Sequence, residues 1–172
     1  MGIDRWAKDL FNKALESEKQ IIIDADGLNL LADCPTKRDN WILTPHPGEA
    51  ARLLRCLNPE IQEDRLTSLE KLVGKYGGVT LLKGNNTLIG AGEEIPFVIT
   101  AGNPGMSTAG MGDLLTGIIA ALCSQFKQVN PNILTALAAY IHALAGDQAA
   151  KSGERGIIAT DLFKELKHII NP

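Results

Sequence analysis

The chain has 172 residues, 17 Lys+Arg against 20 Asp+Glu, a formal net charge of −3 and 45% hydrophobic residues. That composition suits one globular domain and excludes a disordered chain, which would be poorer in Ile, Leu and Val. Mild acidity argues against a nucleic-acid binder, and the most apolar stretch, Leu114 to Leu122, is far short of the roughly 20 residues a bilayer demands. With no basic segment leading into an apolar run at the start, no secretory signal is visible, and a cytoplasmic location is expected. Cys34, Cys56 and Cys123 are scattered and odd in number, without a CxxC pair. They read as ordinary thiols, neither a zinc site nor a disulfide framework.

The opening Met1-Gly2-Ile3-Asp4 runs almost at once into a helix, without the leading strand an α/β domain usually has. Trp6, Ala7, Leu10, Phe11, Ala14 and Leu15 form one apolar stripe, and Asp4 is its N-cap. Gln20 to Ile23 reads as a buried parallel strand. It ends at Asp24 and Asp26, where open α/β sheets place ligands, although Asp26 could equally cap a short turn from Gly27 to Leu31. Trp41 to Thr44 is a second strand, stopped by Pro45 and Pro47, and Gly48 to Leu57 restarts as a helix. A longer helix, Ile61 to Tyr76, closes at Gly77-Gly78. Val79 to Leu82 is a third strand, turning through Lys83–Thr87 into a return strand at Leu88-Ile89. Pro96 to Thr100 is a further short strand. Asp113 to Leu122 predicts a helix buried on most sides, and Asn132–Lys151 and Thr160–Ile170 are the last two, with Thr160 as an N-cap. Strands alternating with helices predict an α/β fold with a mainly parallel sheet.

Glycine is the one composition figure out of line, at 17 residues or about 10% against a usual 7% or so. Four glycines lie in the loop Gly102 to Gly112, which follows a strand and opens a helix at Asp113. Glycines let backbone N–H groups crowd toward an anion, and a helix N-terminus adds about half a positive charge. Asp113 would repel a phosphate held there, which makes sense if its carboxylate takes a proton from a substrate. The plainer alternative is a Gly-rich turn with an acidic helix start. No Lys-Ser/Thr pair follows the last glycine, so this is not a Walker A loop.

Asn103-Pro104-Gly105-Met106 through Gly112-Asp113-Leu114-Leu115-Thr116-Gly117 resembles the anion-hole motif of the ADP/ATP-dependent NAD(P)H-hydrate dehydratases, the YjeF C-terminal type of the ribokinase-like superfamily. Three further segments resemble that family in the same order: Asp24-Ala25-Asp26-Gly27-Leu28-Asn29, Thr44-Pro45-His46-Pro47-Gly48-Glu49 and Leu82-Lys83-Gly84-Asn85-Asn86-Thr87. The resemblance implies a three-layer ribokinase-like fold, its mainly parallel sheet flanked by helices. It implies a reaction in which ADP or ATP, with Mg²⁺, phosphorylates the hydroxyl of the S-form of hydrated NADH or NADPH, and loss of phosphate restores the cofactor. Carried over, His46 and Asp113 would contact the hydrated dinucleotide, with Asp113 as the general base. Lys83, Gly84, Asn85, Asn86 and Thr87 would hold the AMP part, and Ala109, Gly110, Met111 and Gly112 would form the anion hole, Gly112 also touching the nucleotide. Met1-Gly2 resembles the tail of a glycine-rich loop on the dinucleotide, which would make Gly2 a substrate contact. The resemblance also implies a longer domain, of which residues 1–172 would be the C-terminal two-thirds with the N-terminal part missing. A homo-oligomer, such as a tetramer, or dependence on that missing segment, is then expected.

Each assignment has a plainer counterpart. Glu49 serves either as a helix-dipole acid or in organising Mg²⁺ with phosphates, Asn29 would support the site, and Asn103 either supports it or shapes the turn. Lys83 could be a solvated hairpin residue. His142, within an Ala-rich helix, reads as structural, and His168 as a last-turn cation. Two rival functions share these motifs: a vitamin-precursor kinase of the same superfamily, and an inactive nucleotide-binding fragment.

Overall fold

A computed structural model describes residues 2–171. Among them five short strands, β1 (Ile21–Ile23), β2 (Trp41–Leu43), β3 (Val79–Leu82), β4 (Thr87–Ala91) and β5 (Phe97–Ile99), form a sheet in that order. β1–β2 and β2–β3 are parallel, while β3–β4 is the expected antiparallel hairpin, with Leu81 opposite Ile89. The chain divides into two compact units, Met1–Gly84 with Leu88–Phe97, and Asn85–Thr87 with Val98–Pro172. No helix among the described residues is long and apolar enough to cross a membrane.

The first unit carries α1 (Arg5–Leu15), α2 (Asp26–Asp33), α3 (Pro47–Leu54), α4 (Asn58–Glu63) and α5 (Arg65–Tyr76). Its strands are apolar without alternation, the pattern of a sheet covered on both faces, and Trp41, Ile42, Leu43, Leu81 and Leu82 are fully buried. Leu28 and Leu31 of α2, Leu53 of α3, and Leu69, Leu72 and Tyr76 of α5 complete that core. Its two large polar aromatics are paired: Trp41 Nε1 donates to the Tyr76 carbonyl at 3.1 Å, and the Tyr76 hydroxyl donates to the Leu53 carbonyl at 2.8 Å, whereas the Thr80 hydroxyl on β3 is buried without a partner. These bonds tie the end of α5 to β2 and α3. They also explain Gly78, at φ +60, where a Cβ would lie 2.5 Å from the Trp41 carbonyl oxygen.

Several boundaries depart from the sequence reading. The helix expected over Ile61–Tyr76 is two, because Asp64 leaves the helical region and its carboxylate accepts from Thr67 N at 2.9 Å to cap α5. The helix expected to reach Leu57 stops at Leu54, since Arg55 turns left-handed at φ +56. Asp26 does not cap a short turn. Ala25 holds the N-cap position of a true helix, α2, at φ +50 and ψ −120, and Asp26 is its first residue. The α1 stripe is half covered: Ala7 and Phe11 are buried while Trp6 and Leu10 are exposed.

The second unit carries α6 (Met111–Gln125), α7 (Pro131–Ala149) and α8 (Leu162–Ile169), with α7 packed against both of the others. The buried face of α7 is mostly small, Ala138, Ala139, Ala143, Ala145 and Gly146, which allows close helix approach. α6 is not buried on most sides. Only Met111, Leu115 and Ile119, four residues apart, are fully covered, because neighbours shield one stripe of an otherwise apolar helix. Thr160 does not cap the last helix; a 3₁₀ turn, Ala159–Asp161, precedes α8, and Asp161 Oδ2 accepts from Ile158 N at 3.0 Å. His142 on α7 is 8% exposed, and its Nε2 is buried without a hydrogen-bond partner. Burial pushes its pKa down to about 4, against the opposing effect of a hydrogen bond to the Met111 backbone.

Two outcomes are expected. Ala25 adopts a backbone conformation that is nearly exclusive to glycine, so Ala25→Gly should stabilise the protein by about 1 kcal/mol, read as a higher urea midpoint. His142 enters the fold neutral, so the unfolded chain binds its proton first as pH falls. Its contribution is intact above about pH 6.5 and should shrink by a few kcal/mol toward pH 4. His142→Gln, which cannot take up that proton, should lose less stability than wild type over this interval in denaturant titrations.

Candidate functional site

The first unit gathers charge where β1, β2 and β3 end. His46 is the N-cap of α3, held between Pro45 and Pro47. Its Nδ1 accepts from Gly48 N at 3.0 Å and Glu49 N at 3.2 Å, while Glu49 Oε2 accepts from His46 N at 2.8 Å. This reciprocal capping box satisfies three helix-start donors. With Nδ1 accepting, the ring proton resides on Nε2, which faces Glu49 Oε1 at 3.4 Å. The imidazole is half exposed, whereas the Glu49 carboxylate is 7% exposed.

Lys83 follows β3, its amide donating to the Pro45 carbonyl at 2.8 Å. Its ammonium donates to Asp24 Oδ1 at 2.8 Å and lies 3.9 Å from Glu49 Oε2. Burial alone would raise the Asp24 carboxyl, but the Lys83 ammonium, the Thr44 hydroxyl and the Ala25 amide outweigh it and hold it below the usual carboxylate range. Two carboxylates, Asp24 and Glu49, and one ammonium, Lys83, thus lie beside the His46 imidazole. Asp26 points elsewhere: it is half-buried, and its Oδ2 accepts from Gly2 N at 2.8 Å, which lowers its pKa. Asn29 Oδ1 accepts from Arg52 Nη1 at 2.6 Å.

The second unit holds the Gly-rich loop. Asn103 starts a 3₁₀ turn, Pro104–Met106, its Oδ1 accepting from Gly105 N at 3.1 Å. Gly110 is the N-cap of α6, at φ +85, and no side chain caps that helix start. The first amides of a 15-residue helix are therefore left for backbone, solvent or ligand. Ala109 and Asp113 are exposed, Gly110 and Gly112 half-buried, and Met111 buried. Asp113 stands in the first turn of α6.

The structure thus brings His46, Glu49 and Lys83 together, along with Asp24, whose fellow carboxylate Asp26 pairs with Gly2 instead. Met1 lies outside the described residues. The segment expected to hold the AMP part is shared between the units: Lys83 and Gly84 belong to the first, Asn85–Thr87 to the second. Ala109 to Asp113 and Asn103 all belong to the second. Thr44, Arg52 and Asp147 were not anticipated. Thr44 carried a faint signal as the polar end of a buried strand; Asp147 carried none, lying more than forty residues from the loop it touches.

Comparison with known proteins is consistent with this architecture. The profile of the Carb_kinase family, described as NAD(P)H-hydrate dehydratase, matches residues 1–168. The bifunctional NAD(P)H-hydrate repair enzymes Nnr of Coxiella burnetii and Escherichia coli are 48% and 46% identical over 173 residues, all of this chain. The chain spans about a third of their length, 35% and 33%. A ribokinase-like superfamily protein of Enterococcus faecalis superposes with TM-score 0.83 at 29% identity, over 100% of this chain and 62% of its own. The ADP/ATP-dependent NAD(P)H-hydrate dehydratase of Bacillus subtilis, co-crystallized with ATP/Mg²⁺, shares the fold at TM-score 0.76 and 21% identity, over 93% of this chain and 70% of its own. With a family match along nearly its whole length and close relatives spanning all of it, the chain belongs to the NAD(P)H-hydrate dehydratase family and has a ribokinase-like α/β fold.

Proposed function

We propose that this chain takes part in ADP- or ATP-dependent dehydration of the S-form of hydrated NADH or NADPH, repairing the damaged cofactor. The observation that carries the reading is the start of α6: a glycine-rich loop, a helix N-terminus without a side-chain cap, and a carboxylate, Asp113, in its first turn. Free amides at a helix start suit a phosphoryl group that gains charge in transfer. Glycines at Gly102 (φ +105) and Gly110 (φ +85) let the backbone turn toward such a group.

In this reading Asp113 accepts the proton of the hydrate's hydroxyl as its oxygen attacks the terminal phosphate of the nucleotide. The amides of Ala109 to Gly112 offset the charge on the transferred group. Phosphate then leaves with the former hydroxyl oxygen while a proton leaves the neighbouring ring carbon, and the electron pair of that C–H bond restores the ring's double bond. His46, rigid between two prolines with Nε2 as its donor, would meet the hydrated dinucleotide, as would Gly2. Lys83 to Thr87 would hold the AMP part, with Gly112 beside the phosphates. Asp26, Asn29, Glu49 and Asn103 would support these groups. Mg²⁺ suits the chemistry through phosphate oxygens and water, since no three His, Cys, Asp or Glu side chains among the described residues cluster to hold a metal.

The reaction is tested by mixing the chain with Mg²⁺, ADP or ATP, and hydrated NADH or NADPH. Growth of the near-ultraviolet absorbance of the reduced cofactor is expected; a phosphorylated product without that growth would mark a kinase instead. Asp113→Asn should cut turnover by roughly a hundredfold or more while leaving nucleotide affinity within about threefold. Equal losses in both would remove Asp113 from the role of base. Lys83→Ala should raise KM for the nucleotide more than KM for the hydrate, and the reverse would place Lys83 on the dinucleotide.

A further inference from the structure

We propose that Asp147 of α7 is a positioning residue for the Gly-rich loop, and that α7 is the template on which the loop is built. The Asp147 carboxylate accepts twice from the loop's beginning: Oδ2 from Gly102 N at 2.9 Å, and Oδ1 from Asn103 Nδ2 at 3.0 Å. Asn103 passes this hold forward, since its Oδ1 accepts from Gly105 N at 3.1 Å and its carbonyl accepts from Met106 N at 3.1 Å. Gly102 is at φ +105, so this backbone turn has little intrinsic preference and needs an outside partner to fix it.

The neighbouring residue of α7 seats the next part of the loop. A Cβ on Gly146 would lie 2.2 Å from Met106 Sδ, so the methionine lies directly on the helix backbone. A Cβ on Gly105 would lie 2.3 Å from the Glu154 carbonyl oxygen, so that turn is seated closely as well. The loop's far end meets the same helix: His142, buried, is hydrogen-bonded to the backbone of Met111, the first residue of α6. Thr108 Oγ1, between the two ends, donates to the Ile157 carbonyl at 3.2 Å. His142, Gly146 and Asp147 are thus spaced along one helix so as to hold both ends of the loop.

The chemistry at position 147 is specific. Two donors converge there, and only a group with two acceptors satisfies both. An asparagine side chain in place of Asp147 would set an N–H₂ against one of them. An aspartate side chain in place of Asn103 would set two carboxylates face to face. Exchanging the two residues restores every bond. The carboxylate, moved to the loop, accepts from Gly105 N and from the side-chain amide, moved to α7, whose oxygen in turn accepts from Gly102 N.

The consequence for turnover rests on the function proposed above, whereas the hold on the loop does not, and the experiment separates the two. Amide hydrogen exchange of residues 102–107 is measured on the whole chain for wild type, Asp147→Asn, Asn103→Asp and the double exchange, with thermal melting alongside. Each single variant should speed exchange in the loop by about tenfold or more, and the double exchange should return it to within about threefold of wild type. The single variants change net charge in opposite directions, so a shared defect repaired in the double variant reports bonding geometry. Should a single variant fail to fold, recovery of melting and of slow exchange in the double variant supports the proposal equally. Unchanged exchange in the single variants, or a double variant as fast as they are, overturns it. In the dehydration assay kcat should follow the same pattern of loss and recovery. An inactive wild type would count against the proposed reaction and leave the exchange result to decide the role of Asp147.

Discussion

The ammonium of Lys83 is the charge on which the first unit turns. Strands of three or four residues, apolar but for Thr80, end abruptly, and the next residues, Asp24 after β1 and Lys83 after β3, are charged and three-quarters or more covered. A carboxylate in such a place costs several kcal/mol unless it is paired and hydrogen-bonded. Lys83 meets that demand for Asp24 directly and approaches Glu49, itself engaged with the backbone at His46. One cation therefore relates three consecutive strand ends. The same arrangement pre-sets His46, because the capping box that satisfies Glu49 also decides which imidazole nitrogen carries the proton.

The second unit solves a different problem. A Gly-rich loop satisfies only part of its polar backbone from within, so it borrows rigidity from regular structure. α7 provides it through one carboxylate, one glycine and one buried histidine. The small face of α7 serves two ends: it lets neighbouring helices pack closely, and at Gly146 it leaves room for Met106. The two units thus share a principle. Irregular backbone near the candidate site is held by side chains that reach it from regular structure.

Much of the architecture was legible in the chain. Continuous runs such as Ile21–Ile23 and Val79–Leu82 marked buried strands, because strands covered on both faces need no alternation, and the β3–β4 hairpin followed from its turn residues. Helix boundaries were less legible. Asp64 splits one apolar periodicity into two helices, since the side chain of an aspartate can replace a helical bond with a cap, and periodicity does not register that competition. The burial of α6 was overread for a related reason. Hydrophobicity reports what a helix can bury, and only neighbours decide which stripe is covered.

The candidate site divides along the same line. The residue types and their order were readable in one dimension, because cap, turn and glycine signals act over a few residues: His46 with Glu49, and the glycines leading to Asp113. Which of two nearby carboxylates faces Lys83 was not, since the choice of Asp24 over Asp26 depends on one positive φ at Ala25 and on a lysine 59 residues away. Nor was Asp147, joined to the loop only by bonds across 44 and 45 residues. The sequence by itself determined the family, the elements and the chemistry on offer, because those are carried by local pattern. The pairings that orient that chemistry were decided by the tertiary structure alone, because a hydrogen bond between distant residues leaves no periodic trace in the chain.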